Sequence, residues 1–209
     1  MTLIRMSAKG DYTSVSRLLK EGADVNEADS NGRTALLEAA WSGYARIAQL
    51  LVSKGADVNR ADTSGFTPLF RAVEEGYTDI VTMLLKNGAD VNTRAGVRSS
   101  TPLMLAAEMG DREVLRLLID HGAKVNAVDQ FGETALDRAY RLGRPEAVTE
   151  LKKNSAVGKS ERSINSNHFD DDLRPLTRAA VPQWTTVGEE AGLDELDDFM
   201  DDQFDADQE

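Results

Sequence analysis

The chain has 209 residues, no cysteine, two histidines and a formal net charge of −12. That length holds one or two domains, and the missing thiol excludes disulfides, thiolate zinc sites and a cysteine nucleophile. The charge is lopsided: from Asn154 onward 15 acids face 4 bases, a net of −11, which leaves −1 for residues 1–153.

The opening, MTLIRMSAKGD, lacks the long apolar core of a signal peptide. No apolar run approaches the roughly 18–20 residues of a transmembrane helix, so a soluble cytoplasmic protein is expected. A nuclear location or delivery into a host cell is compatible with the same features. Leu3, Ile4 and Met6 begin a helix that ends near Gly10, and Val15, Leu18 and Leu19 lie on the next. From there one unit is written several times. The pentad GADVN stands at Gly22–Asn26, Gly55–Asn59 and Gly88–Asn92 and returns as GAKVN at Gly122–Asn126. Thr-(Ala/Pro)-Leu begins at Thr34, Thr67, Thr101 and Thr134, and a glycine separates two helical runs at Gly10, Gly43, Gly76, Gly110 and Gly143. Three markers keep one period of about 33 residues, the signature of a stack of helical repeats.

Within each unit the threonine caps a first helix, and Pro or Ala takes its first position, where no backbone N–H needs a helical partner. Ala39-Ala40, Ala72-Val73 and Ala106-Ala107 give that helix a small apolar face. The second helix carries a stripe expected to be buried: Ile47, Leu50 and Leu51; Ile80, Leu84 and Leu85; Val114, Leu117 and Leu118. Asp79, Glu113 and Glu146 fall in first turns, where the helix dipole favours negative charge. The following glycine supplies a left-handed cap.

Residues 1–153 resemble an ankyrin-repeat protein, from Thr-Pro-Leu and Gly-x-x-x-(Ile/Val)-(Val/Leu) through Leu-Leu and Gly-Ala-Asp-Val-Asn. The resemblance implies an all-α solenoid of helix–turn–helix repeats with projecting β-turn fingers. The repeats would run 1–26 (a partial cap, with Met1 at the usual threonine), 27–59, 60–92, 93–126 and 127–153 (a C-terminal cap). One departure recurs: the family's usual histidine after Thr-Pro-Leu is replaced by Leu37, Phe70, Met104 and Asp137. In the third full repeat Thr93–Ser100 has one extra residue and no Asp-x-x-Gly turn. An irregular finger that projects Arg94 and Arg98 is expected there. In the last repeat Glu150-Leu151-Lys152 replaces Leu-Leu, which predicts a polar outer face.

Residues 154–188 read as a flexible linker rich in Ser and Asn at its start, with Pro175, Pro182 and Trp184 further on. Residues 189–209 hold eleven acids and no base, a composition that cannot bury enough apolar surface to order alone. Leu193, Leu196, Phe199, Met200 and Phe204 are placed there so that a helix on a partner would present them.

No catalytic constellation stands out. His121 sits in a helix-ending turn and His168 in the tail. Gly158-Lys159-Ser160 looks like the end of a phosphate-binding loop, but Lys153 stands where that loop needs glycine. No cofactor, metal or nucleic-acid site is expected. The resemblance instead implies a partner-binding groove lined by finger tips and first helices. It would present Arg33 and Trp41; then Phe66, Glu74 and Glu75; then Arg98 and Met109; then Phe131, Arg141 and Leu142. Aromatics and arginine dominate interface hot spots. Glu38 and Arg71 occupy equivalent positions on neighbouring repeats, which suggests a stacking ion pair.

The expected function is therefore a non-enzymatic, monomeric protein-binding module. Its acidic tail would be a second contact on the partner, or an autoinhibitory segment folding back on Arg33, Arg98, Arg138 and Arg141. The alternative is a regulator whose tail imitates nucleic acid and occupies a basic site on a nucleic-acid-binding protein.

Overall fold

The structure, a computed structural model, describes residues 2–158. Leu193, Leu196, Phe199, Met200 and Phe204, and most of the linker, lie outside the described residues. Ten helices form five antiparallel pairs: α1 (Leu3–Ala8) with α2 (Tyr12–Lys20), α3 (Ala35–Trp41) with α4 (Ala45–Ser53), and α5 (Pro68–Glu74) with α6 (Thr78–Lys86). They continue as α7 (Pro102–Met109) with α8 (Arg112–Asp120) and α9 (Ala135–Arg141) with α10 (Pro145–Lys153). Odd helices stack in one row and even helices in another.

Each repeat starts as its residues require. Thr34, Thr67, Thr101 and Thr134 cap α3, α5, α7 and α9, their hydroxyls accepting from the N–H three residues on. Thr2, one residue after the expected position, caps α1 and leaves it six residues long. The reason is chemical: Met1 has no oxygen to offer the first turn, and Thr2 does.

The core runs the length of the stack. Ala39, Ala40, Ala72, Val73, Ala106 and Ala107 are sealed between odd helices, and these small side chains let the odd row pack more closely than the even row. The positions that usually carry histidine are core here: Leu37, Phe70 and Met104 are buried. Asp137 instead closes a capping box with Thr134. On the even helices the buried stripe differs from expectation. Leu50 and Leu117 are only half-buried, while Ala48, Val81 and Leu115 are sealed with Ile47, Ile80 and Val114. The buried stripe is thus shifted to take in the residue after Ile47, Ile80 and Val114.

Gly43 shows why a glycine ends the odd helix. Its φ is +77°, and a Cβ there would stand 2.6 Å from Cζ of Tyr77, the residue that opens the next repeat's second helix. Backbone conformation and close approach both exclude a side chain.

A ladder of asparagines joins each pentad to the next. Nδ2 of Asn26, Asn59, Asn92 and Asn126 donates to the carbonyls of Gly55, Gly88, Gly122 and Ser155, each at 3.1 Å. Each Oδ1 accepts from the backbone of Asp57, Asp90, Lys124 and Val157 in turn. The last rung holds residues beyond α10, and Ala156 is buried as Ala56 and Ala123 are.

Glu150 does not face solvent as the polar outer face predicted. It is 7% exposed and turned back to α8, where Arg112 (3.0 Å) and Arg116 (3.7 Å) meet its two oxygens. The hydrogen bond from Arg112 is the foremost cause holding its carboxyl below the usual range; burial opposes it. No helix among the described residues is long and apolar enough to cross a membrane.

Candidate functional site

The fingers are built in two ways. In three of them an aspartate organises the turn. Oδ1 of Asp29, Asp62 and Asp129 accepts from the N–H groups two and four residues later. The third full repeat has no such aspartate, and its finger is closed by backbone pairing of Ala95 with Ser100, 3.0 Å in both directions. Each tip is tied to the next: Thr63 N–H donates to Asn31 O, Gly96 N–H to Ser64 O, and Gln130 N–H to Arg98 O. The fingers thus form one continuous edge beside the odd helices.

The expected groove residues fall into two clusters on this edge. In the first, the Arg71 guanidinium lies 3.8 Å over the Phe66 ring and 4.6 Å over the Trp41 ring of the preceding repeat. Such stacks are favoured by the ring quadrupole. Phe66 also meets Phe70 edge-on at 5.2 Å. Arg71 pairs with Glu74 at 2.7 Å and Asp62 at 3.6 Å, and Glu75 accepts from the Trp41 indole at 3.2 Å. The expected Glu38–Arg71 stacking pair does not form. Glu38 takes Arg33 at 3.1 Å, and Arg33 also holds Asp29 at 3.2 Å. Arg71 is drawn to its own finger because Asp62 and Glu74 lie on its own repeat.

The second cluster is a closed network. Arg138 is buried, with Nη2 donating to Asp129 Oδ2 (2.8 Å) and Ser100 Oγ (2.7 Å), and Nη1 3.3 Å from Glu108. Arg98 reaches Glu133 at 2.9 Å and stacks 5.0 Å over Phe131. Arg141 bridges Glu108 and Glu133, both at 3.5 Å. Three guanidiniums and three carboxylates cancel. Burial pushes the Asp129 carboxyl up, but the Arg138 hydrogen bond and the N–H groups of Glu133 and Phe131 outweigh it and hold it below the usual range. Arg94 and Arg98 do not project as expected: Arg94 donates to the carbonyls of Ser99 and Val128, and Arg98 is folded into the network.

Arg33, Arg98, Arg138 and Arg141, the arginines proposed to receive the tail, are each already paired with carboxylates of the stack. Beside exposed polar residues such as Asn31, Ser64 and Gln130, this edge exposes large apolar side chains. Phe131 is 57% exposed, Leu142 42% and Met109 41%, while Trp41 and Phe66 are half-buried. Residues that sequence reasoning missed as site builders are Asp62 and Asp129. The Asp-x-x-Gly pattern marked both as turn formers, with nothing to show that they also anchor arginines.

Among the described residues no group of three or more acidic or histidine side chains gathers to hold a metal. His121 caps α8 in an exposed turn, its Nδ1 2.8 Å from Leu117 O.

The family comparison agrees with the geometry. The model for ankyrin repeats in three copies matches residues 3–95 and again 94–163, and the chain belongs to that family. No curated protein matches it. Ankyrin repeats are protein–protein interaction modules and are typically non-enzymatic.

Proposed function

We propose that the chain is a monomeric, non-enzymatic binding module. Its finger and odd-helix edge holds a partner protein through Arg33, Trp41, Phe66, Glu74, Glu75, Arg98, Met109, Phe131, Arg141 and Leu142. The observation that carries this is the exposure of Phe131, Met109 and Leu142 beside arginines already locked in place. Large apolar side chains standing on a pre-organised polar frame lose little ordering entropy on binding. The acidic segment 189–209 is proposed as a second contact on a basic surface of the same partner, raising avidity through the intervening chain. A cytoplasmic site of action is proposed with it.

The test is photo-crosslinking in the full chain. A crosslinking amino acid at Ser64 or Gln130 on the finger edge is expected to capture one and the same protein, and Trp41→Ala with Phe131→Ala to abolish the capture. Capture of that protein from Gln49 on the even helices, unaffected by those substitutions, would overturn the assignment. Deleting 189–209 separates the second reading, a tail that imitates nucleic acid. That reading expects partner binding to vanish with the tail and to survive the groove substitutions.

A further inference from the structure

The edge is not uniform in charge, and this says what kind of partner it fits. Along the first two full repeats, five carboxylates (Asp29, Glu38, Asp62, Glu74, Glu75) face two guanidiniums (Arg33, Arg71), a net of 2 − 5 = −3. Arg71 is shared between two carboxylates, and Glu75 meets only a neutral indole N–H. Along the last two repeats, Arg98, Arg138 and Arg141 are matched by Glu108, Asp129 and Glu133. The exposed apolar side chains Met109, Phe131 and Leu142 all stand in that neutral half.

The acidic half also has room. A cleft of about 420 Å³ opens between α1 and the finger that starts at Glu27. Glu27, Asp29 and Glu38 line it against Arg5 and Arg33. The same finger aspartate is met by a helix-borne arginine in two later repeats, Arg71 on Asp62 and Arg138 on Asp129. At Asp29 the equivalent helix position is Glu38, so the notch carries one carboxylate more and one helix-borne guanidinium fewer.

Resting on the groove reading above, we infer that this edge binds a segment of a partner protein that is cationic where it crosses the first two full repeats and apolar where it crosses the last two. An anionic segment is disfavoured because it would meet Arg33, Arg71, Arg98, Arg138 and Arg141 already paired with carboxylates and would face the surplus of acid on the first two full repeats. The change from an acidic to a neutral half along the groove also sets the direction in which the segment lies.

The experiment is selection of peptides from a randomised dodecapeptide phage library on the immobilised full chain. The expected result is enrichment of Lys or Arg toward one end and of Leu, Phe or Met toward the other. Affinity for a selected peptide should fall about tenfold with Glu74→Lys plus Glu75→Lys and also with Phe131→Ala. Selection repeated on the Glu74→Lys, Glu75→Lys chain should lose the cationic end and keep the apolar one. If the basic enrichment persists there, the acidic tail is selecting the peptides and the inference fails. It fails too if no peptide is enriched, or if enriched peptides need Phe131 but carry no cationic end; in that last case the groove reading still stands. Peptides indifferent to every groove substitution would sink both.

Discussion

Arg138 donates to Asp129 at 2.8 Å, and both side chains are shut away from solvent. The pair joins α9 to its own finger, and through Ser100 and Glu108 it joins the last repeat to the one before. Fully unpairing a buried charge costs about 3–5 kcal/mol. Asp129→Ala removes the shorter of the two ion pairs of Arg138 and leaves Glu108 at 3.3 Å, so it is expected to destabilise by less than that in urea denaturation. Asp129→Ala combined with Arg138→Met is expected to cost less than Asp129→Ala alone, since the under-paired buried cation goes too.

The same pair predicts an acid limb. The Asp129 carboxyl is held below its ordinary value of 3.8 in the folded chain. A depressed carboxylate adds stability that is complete above its unfolded pKa and is lost as pH falls through the folded one. Asp11, Asp29 and Glu150 shift in the same direction. The melting temperature should therefore drop as pH is lowered below about 4, and the drop should be shallower in Asp129→Asn.

Ser155 occupies the place held by Gly55, Gly88 and Gly122 in earlier repeats, with φ at +62°. An L side chain pays about 1 kcal/mol for that conformation. Ser155→Gly should raise the melting temperature by roughly 2–4 °C. An unchanged or lower value would show that residues after α10 do not share in the stack's stability.

Two glycines with similar φ separate conformation from contact. A Cβ at Gly55 meets nothing within 4 Å, whereas at Gly43 it collides with the Tyr77 ring. Gly55→Ala should cost about 1 kcal/mol, and Gly43→Ala clearly more, by the displacement of Tyr77. Equal losses in thermal denaturation would count against the close approach.

The asparagine ladder predicts a loss of coupling. Asn59 makes two backbone hydrogen bonds to the next repeat, each worth about 0.5–1.5 kcal/mol. Asn59→Ala should lower stability by about 1–3 kcal/mol on that basis. It should also broaden the urea transition as the repeats on either side begin to unfold separately.

The period of 33, the threonine caps, the breaking glycines and the small odd-helix face were legible in the chain, because each depends on backbone chemistry repeated within a few residues. Trp41, Phe66 and Phe131 could be placed on one edge for the same reason: register alone puts them there. Which carboxylate each arginine takes was decided only in the tertiary structure. Arg71 had Glu38, Asp62 and Glu74 within plausible reach, and chose the two on its own repeat. Glu150 looked like an outward residue until Arg112 and Arg116, on the preceding second helix, turned it inward. Long charged side chains can reach in several directions, and the nearest opposite charge lies across a repeat boundary that local pattern does not describe.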